Sequence, residues 1–263
     1  MNIKKNILAT LTYFDMFDYP LRKREIFLFL GQATDSETFD EALYDLTEEA
    51  AIYRVGEFYS LHDNYALCDR RLLGNLRAAG LLEKAEKAAS LISAFPFVRG
   101  VAVSGSLSKY FADEHADIDF FIITAANRLW IARSFLHAFK KMMFLINRQH
   151  YFCMNYFVDE NTCCILEKNI YTATEVATIL PMRGNGIFKT FFSANGWTKK
   201  FLPNNYMHAV SAKEPRKTWT GLLTEKLLNN RLGSGLDILL MKLTVKSWKA
   251  KTHRQKRMIK VWS

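Results

Sequence analysis

The sequence predicts an α+β protein: a small module of helices and a β-hairpin, then a mixed β-sheet core with helices, then a helical C-terminal region. Three observations predict it. Apolar residues recur at helical spacing three times in the first fifty positions, and two short β-rich runs follow. Beyond a long segment rich in Ala, Leu, Glu and Lys, apolar runs of strand length alternate with helical patterns. With 49% hydrophobic residues among 263, the chain can bury a core, which excludes wholesale disorder.

The first helix is expected over 3–17, on Ile7, Leu8, Leu11, Phe14 and Phe17. Pro20 breaks it before a second helix at about 22–30. Ser36 is the expected cap of a third, whose apolar face is Phe39, Ala42, Leu43 and Leu46. Runs 51–55 and 58–61 flank Gly56-Glu57 as a hairpin. Three helices and a hairpin in this order make a winged-helix-like module over 1–63. A connecting helix spans 64–95 and ends at Phe95-Pro96. The α/β core covers 96–170, with strands at 97–104, 116–124, 151–158 and 162–168 and a helix near 127–147. Helices at 173–180 and 187–201 begin the C-terminal region, 171–263.

The net charge of +10 is uneven. Residues 1–63 carry six basic and twelve acidic groups. From Met241 onward there are eight basic residues and no acidic one. In a DNA-binding winged helix the third helix enters the major groove. Here every charged residue from Ala33 to Ala50 is acidic, which argues against DNA reading and for a protein contact. The basic tail, with Leu243, Trp248, Met258, Val261 and Trp262 interleaved, reads as a solvated helix by default. An acidic partner and a membrane surface are the alternatives. It stops at Trp262-Ser263 within the pattern, as a shortened relative or an incomplete domain would.

Cys68, Cys153, Cys163 and Cys164 lack C-x-x-C spacing and read as reduced, buried thiols of a cytoplasmic protein. Asp15 and Asp18 interrupt any secretory signal. Arg133, Lys140 and Lys141 interrupt the most apolar stretch, Leu129–Ile146, so no membrane span is expected.

Chemistry is suggested by two features together. Gly105-Ser106 closes an apolar strand, and Asp117-Ile118-Asp119 opens another, with ten residues between Ser106 and Asp117. On a strand alternate residues share a face, so both carboxylates point one way. Two carboxylates can hold Mg²⁺ together with substrate phosphates, while Gly105 lets backbone approach a phosphate and Ser106 donates to it.

This arrangement, V-x-V-S-G-S-x10-D-I-D-F-F-I-I over Val101–Ile123, resembles the signature of the DNA polymerase beta-like nucleotidyltransferase superfamily. The layout, with Tyr13–Leu21 in a winged-helix-like front, is similar to bacterial nucleotidyltransferase-domain proteins. The resemblance implies transfer of a nucleoside monophosphate from an NTP, ATP first among them, to a hydroxyl acceptor that the sequence does not name. It assigns Gly105 and Ser106 to the nucleotide phosphates, and Asp117 and Asp119 to Mg²⁺.

Such enzymes usually add a third carboxylate from a later strand. Asn155 stands in that position; its amide can ligate Mg²⁺ but cannot act as a base. Two later residues are alternatives for the third carboxylate: Glu167, after Cys163–Leu166, and Glu175, whose Thr172-x-x-Glu175 setting reads rather as a capping box. Lys109 either reaches a triphosphate or is solvated. Two rival readings are a catalytically degenerate nucleotide-binding or regulatory protein on the same fold, and a winged-helix nucleic-acid binder anchored by its tail.

Overall fold

The computed structural model describes residues 2–207 and 211–261, with side chains as far as Lys249. The tail's Lys251, Arg254, Lys256, Arg257, Met258, Lys260 and Val261 side chains, and all of Trp262-Ser263, lie outside the described part.

The mixed α+β class stands. The chain opens with α1 (Ile3–Asp15), whose first turn is capped by the Asn2 side chain accepting from the Lys4 N–H. A two-residue strand, β1 (Leu21–Arg22), leads into α2 (Lys23–Phe29) and α3 (Ser36–Glu48). The cap of α3 is Asp35, accepting from the Thr38 N–H, so Ser36 is the first helical residue and not the cap. The hairpin is β2 (Tyr53–Val55) and β3 (Phe58–Ser60), and β1 pairs with β3 to make a three-stranded sheet ordered β1-β3-β2. Ile7, Leu11, Phe14, Phe39, Leu43 and Leu46 close this module's core. Phe17 falls outside α1 and is exposed.

The connecting helix α4 (Tyr65–Ser93) holds the module through Arg71. That guanidinium, 1% exposed, donates to Glu25 at 2.7 Å and the Pro20 carbonyl at 2.9 Å and lies over the Tyr19 ring. The core follows as β4 (Val98–Val103), β5 (Asp119–Thr124), α5 (Leu129–Leu145), β6 (Cys153–Asp159), α6 (Ile170–Thr178), β7 (Leu180–Arg183) and α7 (Asn185–Ala194). The second sheet is ordered β6-β5-β4-β7, with β5 and β6 parallel and the other pairs antiparallel. Strand alternation divides its faces. Val101, Val103, Phe120 and Ile122 pack with the alanines of α4, while Ala102, Phe121 and Ile123 pack with α6 and α7.

Three expectations of secondary structure need correction. The run 162–168 forms no strand: a 3₁₀ turn at Glu160–Thr162 leads into irregular chain, anchored where Asn195 accepts from the Ile165 N–H and donates to the Cys163 carbonyl. The fourth strand is instead β7, hidden in the sequence by Pro181, which an edge strand tolerates. The sheet therefore draws on residues beyond position 170. Last, α7 ends at Ala194, and a separate 3₁₀ turn at Gly196–Lys200 carries the chain toward Pro203.

The C-terminal helices are α8 (Trp219–Leu228) and α9 (Arg231–Val261). Buried Arg128 bonds the Leu228 and Asn230 carbonyls, and Asp237 accepts from the Ile131 N–H at 2.8 Å, which docks α9 on α5. Among the described residues no helix is long and apolar enough to cross a membrane. All four cysteines are free, with Cys68 and Cys163 buried and Cys153 and Cys164 half-buried.

Candidate functional site

Because β4 and β5 are antiparallel, the end of β4 and the start of β5 lie at one edge of the sheet. Gly105 follows β4 and Asp119 begins β5. Gly105 adopts φ +69°, and a Cβ built on it would lie 2.9 Å from Asp119 Oδ2. Only a residue without a side chain fits both the left-handed backbone and this approach. Ser104 donates its N–H to the Asp119 carbonyl at 2.9 Å, which ties the two ends together. Ser106 is exposed at the tip of the turn. A 3₁₀ turn, Leu107–Lys109, completes the loop, and Ser108 Oγ donates to the Gly105 carbonyl.

The strand starts at Asp119 and not at 116, so Asp117 sits on the approach to it. Ile118 between them is fully buried in the core, which leaves both carboxylates on the opposite side. Asp117 meets His150 Nδ1 at 2.8 Å. Asp119 Oδ1 accepts from Asn155 Nδ2 at 2.6 Å, and Cys153 Sγ lies 3.1 Å from Asn155 Oδ1 and 3.4 Å from Lys140 Nζ. Parallel pairing of β5 with β6 places Cys153 in register with Asp119.

Burial pushes the Asp119 carboxyl above its ordinary range. Cys153 and Lys140 oppose that rise; Asp117 and Glu175 add like-charge repulsion. Burial likewise raises the Cys153 thiol, against the pull of Lys140.

Compared with known proteins, the chain matches no family model, no curated sequence and no solved structure.

Lys109 is neither free nor solvated. Its ammonium lies 2.7 Å from Glu175 and 3.0 Å from the Gly105 carbonyl, and is mostly buried. Glu175 is not part of a capping box. Asn169 caps α6 by accepting from the Thr172 N–H, which puts Glu175 in the second turn, where Lys109 links it to the Gly105 turn. Glu167 lies in irregular chain, is exposed, and accepts from Asn169 Nδ2 at 3.1 Å. The structure brings together Gly105, Ser106, Lys109, Asp119 and Asn155, with Asp117 beside them. It does not bring Glu167 into hydrogen bonding with any of these.

The carboxylate that does act on Asp119 from a distant element is Glu175, the alternative that the capping pattern disfavoured, and the neighbours missed in the sequence are His150, Lys140 and Cys153. None carried a linear signal. His150 is 33 positions from Asp117, and Glu175 matched a local capping pattern better than a site pattern.

The donor set is oxygen, with an excess of negative charge, and suits a small hard cation. Asp117 and Asp119 could hold Mg²⁺, with substrate phosphates completing its shell. Among the described residues no cluster of three His, Cys, Asp or Glu side chains is arranged to hold a metal without such help.

Proposed function

We propose that this protein is a Mg²⁺-dependent nucleotidyltransferase of the DNA polymerase beta-like kind, moving a nucleoside monophosphate from an NTP, ATP first among them, to a hydroxyl acceptor. The observation that carries the reading is the approach of the Asp119 carboxylate to the left-handed Gly105. It joins a phosphate-type turn and a carboxylate pair at one sheet edge. The order α1-β1-α2-α3-β2-β3, with β3 central, supports a winged-helix-like reading of the front module.

In this reading the exposed Ser106 hydroxyl and the adjoining backbone receive the triphosphate. Lys109, clamped by Glu175, braces the turn through the Gly105 carbonyl and lowers the local negative charge. Asn155 orients Asp119 by donating to one carboxylate oxygen and leaves the other facing the turn. When bound, Mg²⁺ supplies neutralisation of the charge that develops on the phosphoryl oxygens. The acceptor oxygen bonds to the α-phosphorus as the bond to the leaving pyrophosphate breaks. The acceptor's proton leaves to solvent water, because the Asn155 amide is no base.

The test is Asp119→Asn, assayed for pyrophosphate release from ATP with Mg²⁺, with circular dichroism as the control for folding. Loss of turnover in a folded protein is expected. Unchanged turnover removes the hypothesis.

A second reading, a nucleotide-binding protein that no longer catalyses, is favoured by one observation. The β6 position beside Asp119 holds an amide instead of a carboxylate. Calorimetric binding of ATP with Mg²⁺, without product after long incubation, distinguishes it from the first.

A further inference from the structure

We infer that the N-terminal module is part of the ligand site: the cavity between it and the Gly105 turn seats the base of the nucleotide, against the module's own aromatic side chains. The inference rests on the nucleotide reading above and extends it to residues with no place in the sequence motif.

A cavity of about 310 Å³ opens where the module meets the core. Gly105, Ser106 and Lys109, the turn assigned to phosphates, line it together with Tyr13 and Phe17, contributed by α1 and the turn after it, and Tyr171 of α6. Phe111 and Tyr19 line it too, meeting edge to face at 5.5 Å between ring centres. Volume and polarity suit a ligand with one anionic and one planar apolar part.

The rings are not arranged merely as core. Phe17 is 51% exposed and Tyr171 is 55% exposed, although Phe14 and Tyr19 beside them are buried. Phe17 meets Tyr13 at 5.7 Å, edge to face. Burial raises the Tyr13 hydroxyl; Thr174 opposes that rise and Glu175 and Tyr171 add to it, so this ring stands among the α6 residues. Two half-exposed aromatic rings thus line one cavity.

Charge beside the rings argues for a neutral occupant there. Arg70, which donates to the Phe17 and Asp18 carbonyls, is paired with Asp113 at 2.9 and 3.1 Å. A further anion would meet an Arg70 that is already paired. A nucleobase is neutral and planar, and aromatic stacking is how proteins hold bases without reading their edges. The Tyr19 hydroxyl is already committed to the Lys109 carbonyl at 2.7 Å, which removes one edge-reading donor.

The module is fixed in place for this role. Phe111, from the loop between the turn and Asp117, is inserted into the module's own core. Gly74 of α4 makes room for it, since a Cβ there would overlap the Phe111 ring.

The test is calorimetric titration with ATP and, separately, inorganic tripolyphosphate, both with Mg²⁺, against wild type, Phe17→Ala and Tyr171→Ala. Both replaced rings are largely exposed, so the fold should persist. Each variant is expected to lose ATP affinity by about tenfold while tripolyphosphate affinity stays the same. Equal ATP affinity in wild type and variants overturns the base pocket and leaves the phosphate turn standing. Equal losses for ATP and tripolyphosphate also overturn it, because the rings would then act only by shaping the turn. Binding of neither probe to wild type defeats the nucleotide reading itself, and this inference with it.

Discussion

Asn155 donates its side-chain N–H to Asp119 at 2.6 Å across the parallel β5–β6 pair. The amide partly compensates a carboxylate that burial and two neighbouring acids disfavour. Asn155→Asp replaces that donor with a fourth negative charge. Thermal melting should show a lower Tm for the variant in EDTA, with a larger upward shift on adding Mg²⁺ than wild type shows. An identical Mg²⁺ response in the two proteins would remove Asp119 and its neighbour from any metal site.

Gly105→Ala should be costly in two ways. A non-glycine residue in the left-handed region costs about 1–2 kcal/mol, and the new methyl would press on Asp119 Oδ2 from 2.9 Å. Chemical denaturation should show a loss of at least that size, and ATP binding should fall further than the stability change explains. A variant as stable as wild type would mean that the turn relaxes without strain.

Arg71→Met tests how the module is attached. The substitution keeps most of the volume but leaves Glu25 and the Pro20 carbonyl without their buried donor. Breaking a buried pair from one side typically costs about 3–5 kcal/mol. Urea denaturation should show that scale of loss, and limited proteolysis should show earlier cleavage between the module and α4. A change below about 0.5 kcal/mol would place this contact among ordinary surface pairs.

Acid sensitivity should come in part from Glu225 on α8. Burial pushes its carboxyl up. The Arg99 guanidinium, the Phe97 N–H and Lys217 outweigh that and hold it below the usual glutamate range. A depressed folded-state pKa contributes stability that is present above the unfolded value, about 4.3, and is lost as pH falls through the folded one. Stability followed from pH 6 to pH 3 should therefore decline less steeply in Glu225→Gln, which should already be weaker at pH 6. Parallel curves would contradict the assignment.

Much of the architecture was legible because local patterns suffice for it. The helical spacing of Ile7, Leu11 and Phe14, the unbroken pattern of α4, and the apolar runs of β4 and β5 each bury a face that their periodicity announces. The strand at β7 was not legible. Four residues containing a proline carry no strand signal, and only pairing with β4 makes them one. The run 162–168 failed in the opposite sense: its apolar residues fill a core gap as irregular chain, with Asn195 satisfying its backbone.

At the site, the short-range pattern was enough to pair Gly105-Ser106 with Asp117 and Asp119, because strand alternation and a glycine turn are local properties. What surrounds that pair was not encoded locally. Glu175, His150, Asn155 and the aromatic wall of Tyr13, Phe17 and Tyr171 come from three separate stretches of chain, 13–17, 150–155 and 171–175. Sheet register, helix docking and insertion of Phe111 into the module bring them together. Periodicity tells which face of an element is buried; the side chains that meet across elements depend on how those faces pack.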